Sequence, residues 1–98
     1  MEHKEYTKDG TLLINGQFNG NGLKTGLWKE YYKSGSTAAE EFYQDGKLHG
    51  SFKSYHENGN IWCTGNYNQG NKEGKFEIYD PGGKLILAAQ YNKNKLIN

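Results

Sequence analysis

The amino-acid sequence repeats with a period of 24 residues. Gly26, Gly50 and Gly74 are separated by this step, and no gap is needed to align the residues between them. The first 25 residues form a divergent copy, in which Tyr6 aligns with Tyr31. Further columns at the same step are Trp28, Phe52 and Phe76; Tyr31, Tyr55 and Tyr79; Gly35, Gly59 and Gly83; and Tyr43, Tyr67 and Tyr91. A period in this range is typical of proteins in which each copy is one supersecondary unit that stacks on its neighbours.

The length and the columns together predict a single repeat domain. A chain of 98 residues is one domain at most, and its hydrophobic fraction of 34% favours a thin core. Eight Tyr, four Phe and two Trp supply large apolar areas that a thin sheet can use. We predict copies at about 1–25, 26–49, 50–73 and 74–98, with residues 95–98 beginning a fifth copy.

Each copy contains a dipeptide that ends in glycine and is typical of a β-hairpin turn. These dipeptides favour two-residue turns, and Asp-Gly and Asn-Gly suit type I′ turns, in which both central residues have positive φ. A second, longer connection is predicted near Gly22, Gly46 and Gly70. We therefore predict an all-β fold: a single elongated, twisted antiparallel sheet of stacked hairpins with about eight strands. The four dipeptides are Asp9-Gly10, Ser34-Gly35, Asn58-Gly59 and Gly82-Gly83.

Two-residue turns also predict the register and the two faces of the sheet. Phe52 would pair with Gly65, Ser54 with Cys63, and His56 with Ile61. Alternation along the strands then predicts one packed face, with Ile14, Trp28, Tyr43, Phe52, Ile61, Cys63, Tyr67, Phe76, Leu85, Leu87 and Tyr91. On the opposite face it predicts a tyrosine stripe of Tyr6, Tyr31, Tyr55 and Tyr79, beside Leu13, Ala38, Trp62 and Ile86.

The tyrosine stripe is the strongest candidate for a partner-binding surface. Tyr and Trp are enriched at binding hot spots because they offer a large area with few torsions to freeze. Tyrosine pairs also stabilise a sheet without any partner, by roughly 0.2–1 kcal/mol each, so both roles remain open. The candidate binding residues are Tyr6, Tyr31, Tyr55, Trp62 and Tyr79.

Composition and spacing argue against several other kinds of function. The net charge of +1 and the absence of a basic stripe argue against binding to nucleic acid. His3, His49, His56 and Cys63 lack the spacing of a metal site or of an activated thiol, so we predict no catalytic residues, metal or cofactor. No apolar run is long enough for a transmembrane helix. A single cysteine fits a reducing compartment, and we expect the cytoplasm.

The pattern resembles the MORN-repeat family. The resemblance rests on Gly26-x-Trp28-x-x-Tyr31-Tyr32-x-x-Gly35 and the later Tyr43-x-x-Gly46. Two further copies repeat most of this pattern. The 24-residue step is similar to the bacterial variant found in YwqK-type antitoxins. This resemblance implies an elongated, twisted sheet of hairpins that takes part in protein interaction, dimerisation or membrane association, and it carries no catalytic residues.

Three functions remain as hypotheses. The first is a non-catalytic protein-binding module, such as an antitoxin or immunity-type partner of a cognate toxin. The second is peripheral binding to an anionic membrane surface, which the aligned Lys29, Lys53 and Lys75 favour, although neighbouring glutamates oppose it. The third is a self-associating structural protein, because the apolar last strand over residues 85–91 could form a homodimer through its edge.

Overall fold

The computed structural model describes residues 1–97, so Asn98, the last residue of the predicted fifth copy, lies outside the described residues. The strands form one open antiparallel sheet that measures 42 × 35 × 14 Å. The predicted all-β fold of stacked hairpins is confirmed. The strands are β1 (Glu2–Tyr6), β2 (Leu12–Phe18), β3 (Lys24–Tyr31), β4 (Thr37–Gln44), β5 (Lys47–Tyr55), β6 (Ile61–Asn68), β7 (Asn71–Lys72), β8 (Gly74–Tyr79), β9 (Leu85–Asn92) and β10 (Lys95–Leu96).

The two strands beyond the predicted eight are both short. β7 lies in the connection that was predicted near Gly70, and Glu73 separates it from β8. β10 is the beginning of the predicted fifth copy, and it pairs with the end of β9. The sheet order follows the chain from β1 to β6 and then β8, β9 and β10, while β7 also pairs with β6. Each hairpin therefore lies beside the hairpin that precedes it in the sequence.

The loops at the tips of the hairpins differ from the prediction. The Gly59 amide donates to the His56 carbonyl at 2.9 Å, and the His56 amide donates to the Asn60 carbonyl at 2.8 Å. Gly59 has φ +93°, whereas Asn58 does not have a positive φ. The loop is thus a three-residue connection, a type I turn followed by a left-handed glycine, and the predicted type I′ turn is wrong. The same hydrogen bond closes the tips at Gly10, Gly35 and Gly83.

Two-residue turns instead follow the second, third and fourth copies. Asp45 and Gly46 both have positive φ, 49° and 82°, as a type I′ turn requires. Gln69-Gly70 and Lys93-Asn94 repeat this geometry. The longer connection predicted near Gly46 is wrong, because residues 47–49 already belong to β5 and begin its pairing with β4.

A β-bulge next to each tip reconciles the loops with the predicted register. Phe52 pairs with Gly65 and Ser54 with Cys63, as predicted. The predicted pairing of His56 with Ile61 is wrong, because Ile61 lies opposite Tyr55 and Trp62 is the extra residue. The three-residue loop shifts the register by one position and the bulge shifts it back. The other copies repeat the bulge, with extra residues Leu13, Ala38 and Ile86.

The core is a layer of aromatic rings on one face of the sheet. We call this surface the aromatic face, and within residues 1–97 only Trp28 and Phe76 are buried hydrophobic side chains. The Trp28 ring lies over Gly16 and the Phe76 ring over Gly65; a Cβ at either glycine would come within 2.1 Å of the ring. Glycine therefore lets these rings approach the backbone. The face carries His3, Phe18, Trp28, Tyr43, Phe52, Tyr67, Phe76 and Tyr91, whose neighbouring rings mostly make edge contacts.

Three residues predicted for the packed face are exposed instead. Leu87 does lie on the aromatic face opposite Ile78, but within residues 1–97 its side chain is exposed. Ile61 and Leu85 pair with tyrosines of the opposite stripe, and cross-strand partners lie on the same face of a sheet. The bulge moved them, so their predicted placement is wrong.

Candidate functional site

The surface opposite the aromatic face carries the predicted tyrosine stripe, and we call it the tyrosine face. Tyr31, Tyr55 and Tyr79 end β3, β5 and β8, so successive members are two strands, or about 10 Å, apart. Tyr6 ends β1 at the edge of the sheet and is 56% exposed. The structure thus places the four tyrosines, with Trp62 between Tyr55 and Tyr79, along one row near the hairpin tips.

Hydrogen bonds fix two of these tyrosine side chains. The Tyr55 hydroxyl donates to Oε1 of Glu40 at 2.7 Å, and the Tyr79 hydroxyl donates to Oε1 of Glu77 at 3.3 Å. The bond from Tyr55 holds the pKa of Glu40 below its ordinary value, and Lys29 adds to this effect. Fixed rings lose little conformational entropy on contact with a partner.

The lysine column beside the tyrosines is balanced by glutamates. Lys29 Nζ lies 3.4 Å from Glu40 Oε2, and Lys75 Nζ lies 3.9 Å from Glu77 Oε2. Lys53 is the direct cross-strand partner of the same Glu40. The tyrosine face is therefore amphipathic with mixed charge.

The bulges enlarge the apolar part of this face. In each copy, both residues at the bulge lie beside the tyrosine, because the first pairs with it and the second is the inserted residue. In the last two copies the bulge residues are large and exposed: Ile61 at 36%, Trp62 at 47%, Leu85 at 46% and Ile86 at 59%. We call these four residues the bulge strip.

Ile61 and Leu85 were missing from the predicted site, because both were predicted for the packed face. Pro81 was the one signal that could have revealed the tip geometry, since proline suits the second position of a type I turn. A three-residue loop inferred from Pro81 would have required a bulge to restore the pairing farther along the strands.

A neighbouring histidine supports the Trp62 side chain. The rings of His56 and Trp62 are stacked, with centroids 4.9 Å apart and planes inclined by 16°. Nε2 of His56 lies 2.8 Å from the Tyr79 carbonyl oxygen, so Nε2–H is the donor. The Tyr32 hydroxyl makes the equivalent bond to the Tyr55 carbonyl, at 2.5 Å. These bonds join adjacent hairpins at the tips, where a shallow cleft is lined by Tyr32, His56, Glu57, Asn58, Trp62 and Pro81.

A pair of carboxyl groups interrupts the aromatic face. Glu41 lies between Trp28 and Phe52, its direct partners on the two adjacent strands. The other copies have Gly16, Gly65 or Ala89 at this position. Burial, followed by the hydrogen bond and charge of Glu30, raises the pKa of Glu41 to about 7. Glu41 thus makes the packed face sensitive to pH near neutrality.

The histidines and the cysteine have structural contacts. The Cys63 thiol is partly buried, and burial raises its pKa, which disfavours the reactive thiolate. His56 stacks on Trp62 and donates a hydrogen bond to the Tyr79 carbonyl. His49 Nδ1 accepts a hydrogen bond from the Gln69 amide at 3.1 Å. Among residues 1–97, no three His, Cys, Asp or Glu side chains are grouped so that they could hold a metal ion. The described part of the chain also has no helix that is long and apolar enough to cross a membrane.

Comparison with known families gives one match. The family described as the MORN repeat variant matches residues 24–45, 48–69 and 72–93. These segments start at the 24-residue step that the sequence columns define, and they cover the three regular copies but not the first. No curated protein matches the sequence.

Proposed function

The chain belongs to the MORN repeat variant family, whose repeats are generally non-catalytic binding modules, and we propose that it binds a partner protein through its tyrosine face. The contact would centre on Trp62 and the bulge strip, with Tyr55 and Tyr79 beside them. Tyr31 and Tyr6 would extend the contact towards the first copy. The bacterial, cytoplasmic antitoxin role implied by the family resemblance makes a cognate toxin the proposed partner.

One observation carries this proposal: large apolar side chains are exposed together on the tyrosine face at the bulges. The exposed fractions of Trp62, Leu85 and Ile86 are 47%, 46% and 59%. Adjacent exposed apolar groups with a polar surround are typical of protein contact sites. Because His56 braces one face of the indole of Trp62, the other face is presented in a fixed orientation.

The charges favour a protein over a membrane as the partner. Peripheral attachment to anionic lipid needs a cluster of uncompensated lysines or an inserted apolar segment. Lys29 and Lys75 instead make ion pairs on this face. Mixed charges around a central aromatic anchor suit a protein interface, whose core is apolar and whose rim is polar.

The experiment is capture of the partner from the native host by the immobilised full chain, followed by identification of the captured protein and measurement of its affinity. Trp62→Ala combined with Tyr55→Ala should weaken binding at least about 100-fold, since loss of a hot-spot residue costs about 2 kcal/mol or more. Phe42→Ala is the matched control, because Phe42 is 40% exposed on the same face but lies near the opposite end of β4.

Wild-type affinity in the double variant would refute the proposed site. Binding of the wild-type chain to anionic vesicles at low salt, with loss at high salt, would favour the membrane instead. If the captured protein stops cell growth when it is expressed alone, co-expression of the wild-type chain should restore growth. Failure of the wild-type chain to restore it would refute the antitoxin role.

A further inference from the structure

The residue inserted at the bulge differs in size from copy to copy. In three copies it is large, whereas in the second copy it is Ala38, whose side chain is a single carbon. Ala38 lies on β4, between Tyr31 on β3 and Tyr55 on β5. The row of tyrosines therefore has its lowest point at Ala38, and we call this gap between the two tyrosines the alanine slot. The four inserted residues are Leu13, Ala38, Trp62 and Ile86.

The alanine slot suits a small apolar ring. Its two tyrosines are about 10 Å apart, because they lie two strands from each other. The Tyr55 hydroxyl is bonded to Glu40, on the same strand as Ala38, so one side of the slot is held in place. A proline side chain is flat and apolar, and it loses no rotamer entropy when it is buried.

The corresponding position of the next copy offers a different contact. Trp62 is 47% exposed, and His56 stacks on one face of its indole. Trp62 lines the shallow cleft at the tips together with Glu57, which is exposed. Among residues 1–97, no ion pair involves Glu57. An indole face beside a carboxylate can bind a guanidinium group, by stacking on the ring and by an ion pair.

The charges at the hairpin tips single out this copy. Asp9 and Asp80, two other carboxylates at the tips, accept hydrogen bonds from amides of their own loops. Lysines at the tip repel a guanidinium, and proline carries no charge. A cationic side chain is therefore favoured beside Trp62. The residues that align with Glu57 in the other copies are Lys8, Lys33 and Pro81.

The distance between these two sites matches the repeat of a polyproline II helix. Ala38 and Trp62 are one copy apart, which is two strands or about 9.4–9.8 Å. A polyproline II helix advances about 9.3 Å in three residues, after which a side chain returns to the same side. An α-helix advances about 5.4 Å per turn, so its side chains return at about 5 and 11 Å. In an extended strand, the third side chain points to the opposite face.

We propose that the tyrosine face binds a proline-rich segment in the polyproline II conformation, with one proline in the alanine slot and an arginine three residues away on Trp62. The arginine stacks on the open face of the indole and pairs with Glu57. This inference rests on the proposed function, because it uses the same face, and it adds the chemistry of the partner. A segment that is already in its bound conformation loses little entropy on binding.

The test uses the synthetic peptide Arg-Pro-Pro-Pro-Pro-Pro-Arg, in which an arginine lies three residues from the middle proline on either side. Fluorescence anisotropy of the labelled peptide measures binding to the full chain at concentrations up to about 1 mM, a range that covers weak binding. The wild-type chain should bind this peptide. Replacing both arginines by glutamine should weaken binding at least about fivefold. Replacing all the prolines by glycine keeps the charge but removes the preformed helix, and should weaken binding at least about tenfold.

Two variants of the chain test the two sites separately. Ala38→Leu fills the slot with the residue type that the first copy has at Leu13, so this variant should fold and should weaken binding at least about tenfold through a clash with the proline. Glu57→Gln should weaken binding of the arginine peptide about fivefold and leave binding of the glutamine peptide unchanged. Asp45→Asn is the matched control, because Asp45 is an exposed carboxylate in the turn at the other end of β4. This variant should bind like the wild-type chain, and circular dichroism should show that all three variants are folded.

Absence of binding between the wild-type chain and the arginine peptide would overturn the proposal. Equal binding of the glycine peptide would overturn it too, as would unchanged binding in both Ala38→Leu and Glu57→Gln. The peptide assay needs no captured partner, so its failure is distinct from failure of the proposed function. The proposed function is decided by whether the captured protein still binds after Trp62 and Tyr55 are both replaced by alanine.

Discussion

Glu41 provides a prediction about stability that follows from its position on the aromatic face. The side chain is half-buried between Trp28 and Phe52, and its protonated form donates a hydrogen bond to the Glu30 carboxylate. The pKa of Glu41 rises from its ordinary value near 4.5 to about 7. The folded chain therefore holds this proton more tightly than the unfolded chain does. The resulting stabilisation is fully present below about pH 4.5 and is lost as the pH rises through about 7.

The size of this stabilisation follows from the same pKa shift of Glu41. At about 1.4 kcal/mol per pH unit, a change from 4.5 to about 7 gives an upper bound of about 3–4 kcal/mol. Because Glu41 is only half-buried, solvent screening reduces the expected effect to about 1–2 kcal/mol. Glu41→Gln keeps a similar shape and stays neutral at every pH. The variant should match the wild-type chain near pH 4.5 and be about 1–2 kcal/mol more stable at pH 8.

The assay is urea unfolding at several pH values, monitored by tryptophan fluorescence. Glu40→Gln is a control of opposite sign, because the pKa of Glu40 is lowered by Tyr55. Glu40 contributes stability above its ordinary pKa and loses it as the pH falls, so this variant should be less stable than the wild-type chain at neutral pH and approach it in acid. If the free energy of unfolding depended on pH in the same way for the wild-type chain and for Glu41→Gln, this explanation would be refuted.

Two further variants test the packing and the joined tips. Gly65→Ala should lower the free energy of unfolding by about 1–3 kcal/mol, because the new Cβ would lie 2.1 Å from the Phe76 ring. Gly20→Ala, with no atom within 4 Å of the new Cβ, should change the denaturant midpoint little, and equal midpoints for both variants would contradict this account of the packing. Tyr32→Phe should cost about 0.5–1.5 kcal/mol in the same assay through loss of the bond to the Tyr55 carbonyl; unchanged stability would show that this bond does not stabilise the tips.

The repeat columns were sufficient to predict the fold and most of the register. A constant 24-residue step with large rings and small residues in fixed columns places Phe52 opposite Gly65, and the structure has this pairing. The prediction succeeded although it assumed the wrong loop, because the loop and the bulge shift the register in opposite directions. The spacing of residues cannot reveal two register shifts that cancel.

The tips could not be predicted in the same way. Asn58-Gly59 is compatible with a two-residue turn and with the last two positions of a three-residue loop, so the dipeptide alone does not decide between them. The choice determines the face on which Ile61 and Leu85 lie, and therefore the composition of the bulge strip. Exposure at β9 depends on which strands neighbour it, and sequence patterns do not report this.

The most direct test of the proposed binding surface is the accessibility of Trp62 in the complex with the captured partner. The chain has two tryptophans, of which Trp62 is 47% exposed and Trp28 only 4%. Iodide should therefore quench mainly the fluorescence of Trp62 in the free chain. The contribution of Trp62 is the difference in quenching between the wild-type chain and Trp62→Phe. After the fluorescence of the partner alone is subtracted, this quenching of Trp62 should disappear on binding. A stable complex in which Trp62 is quenched as strongly as in the free chain would contradict it.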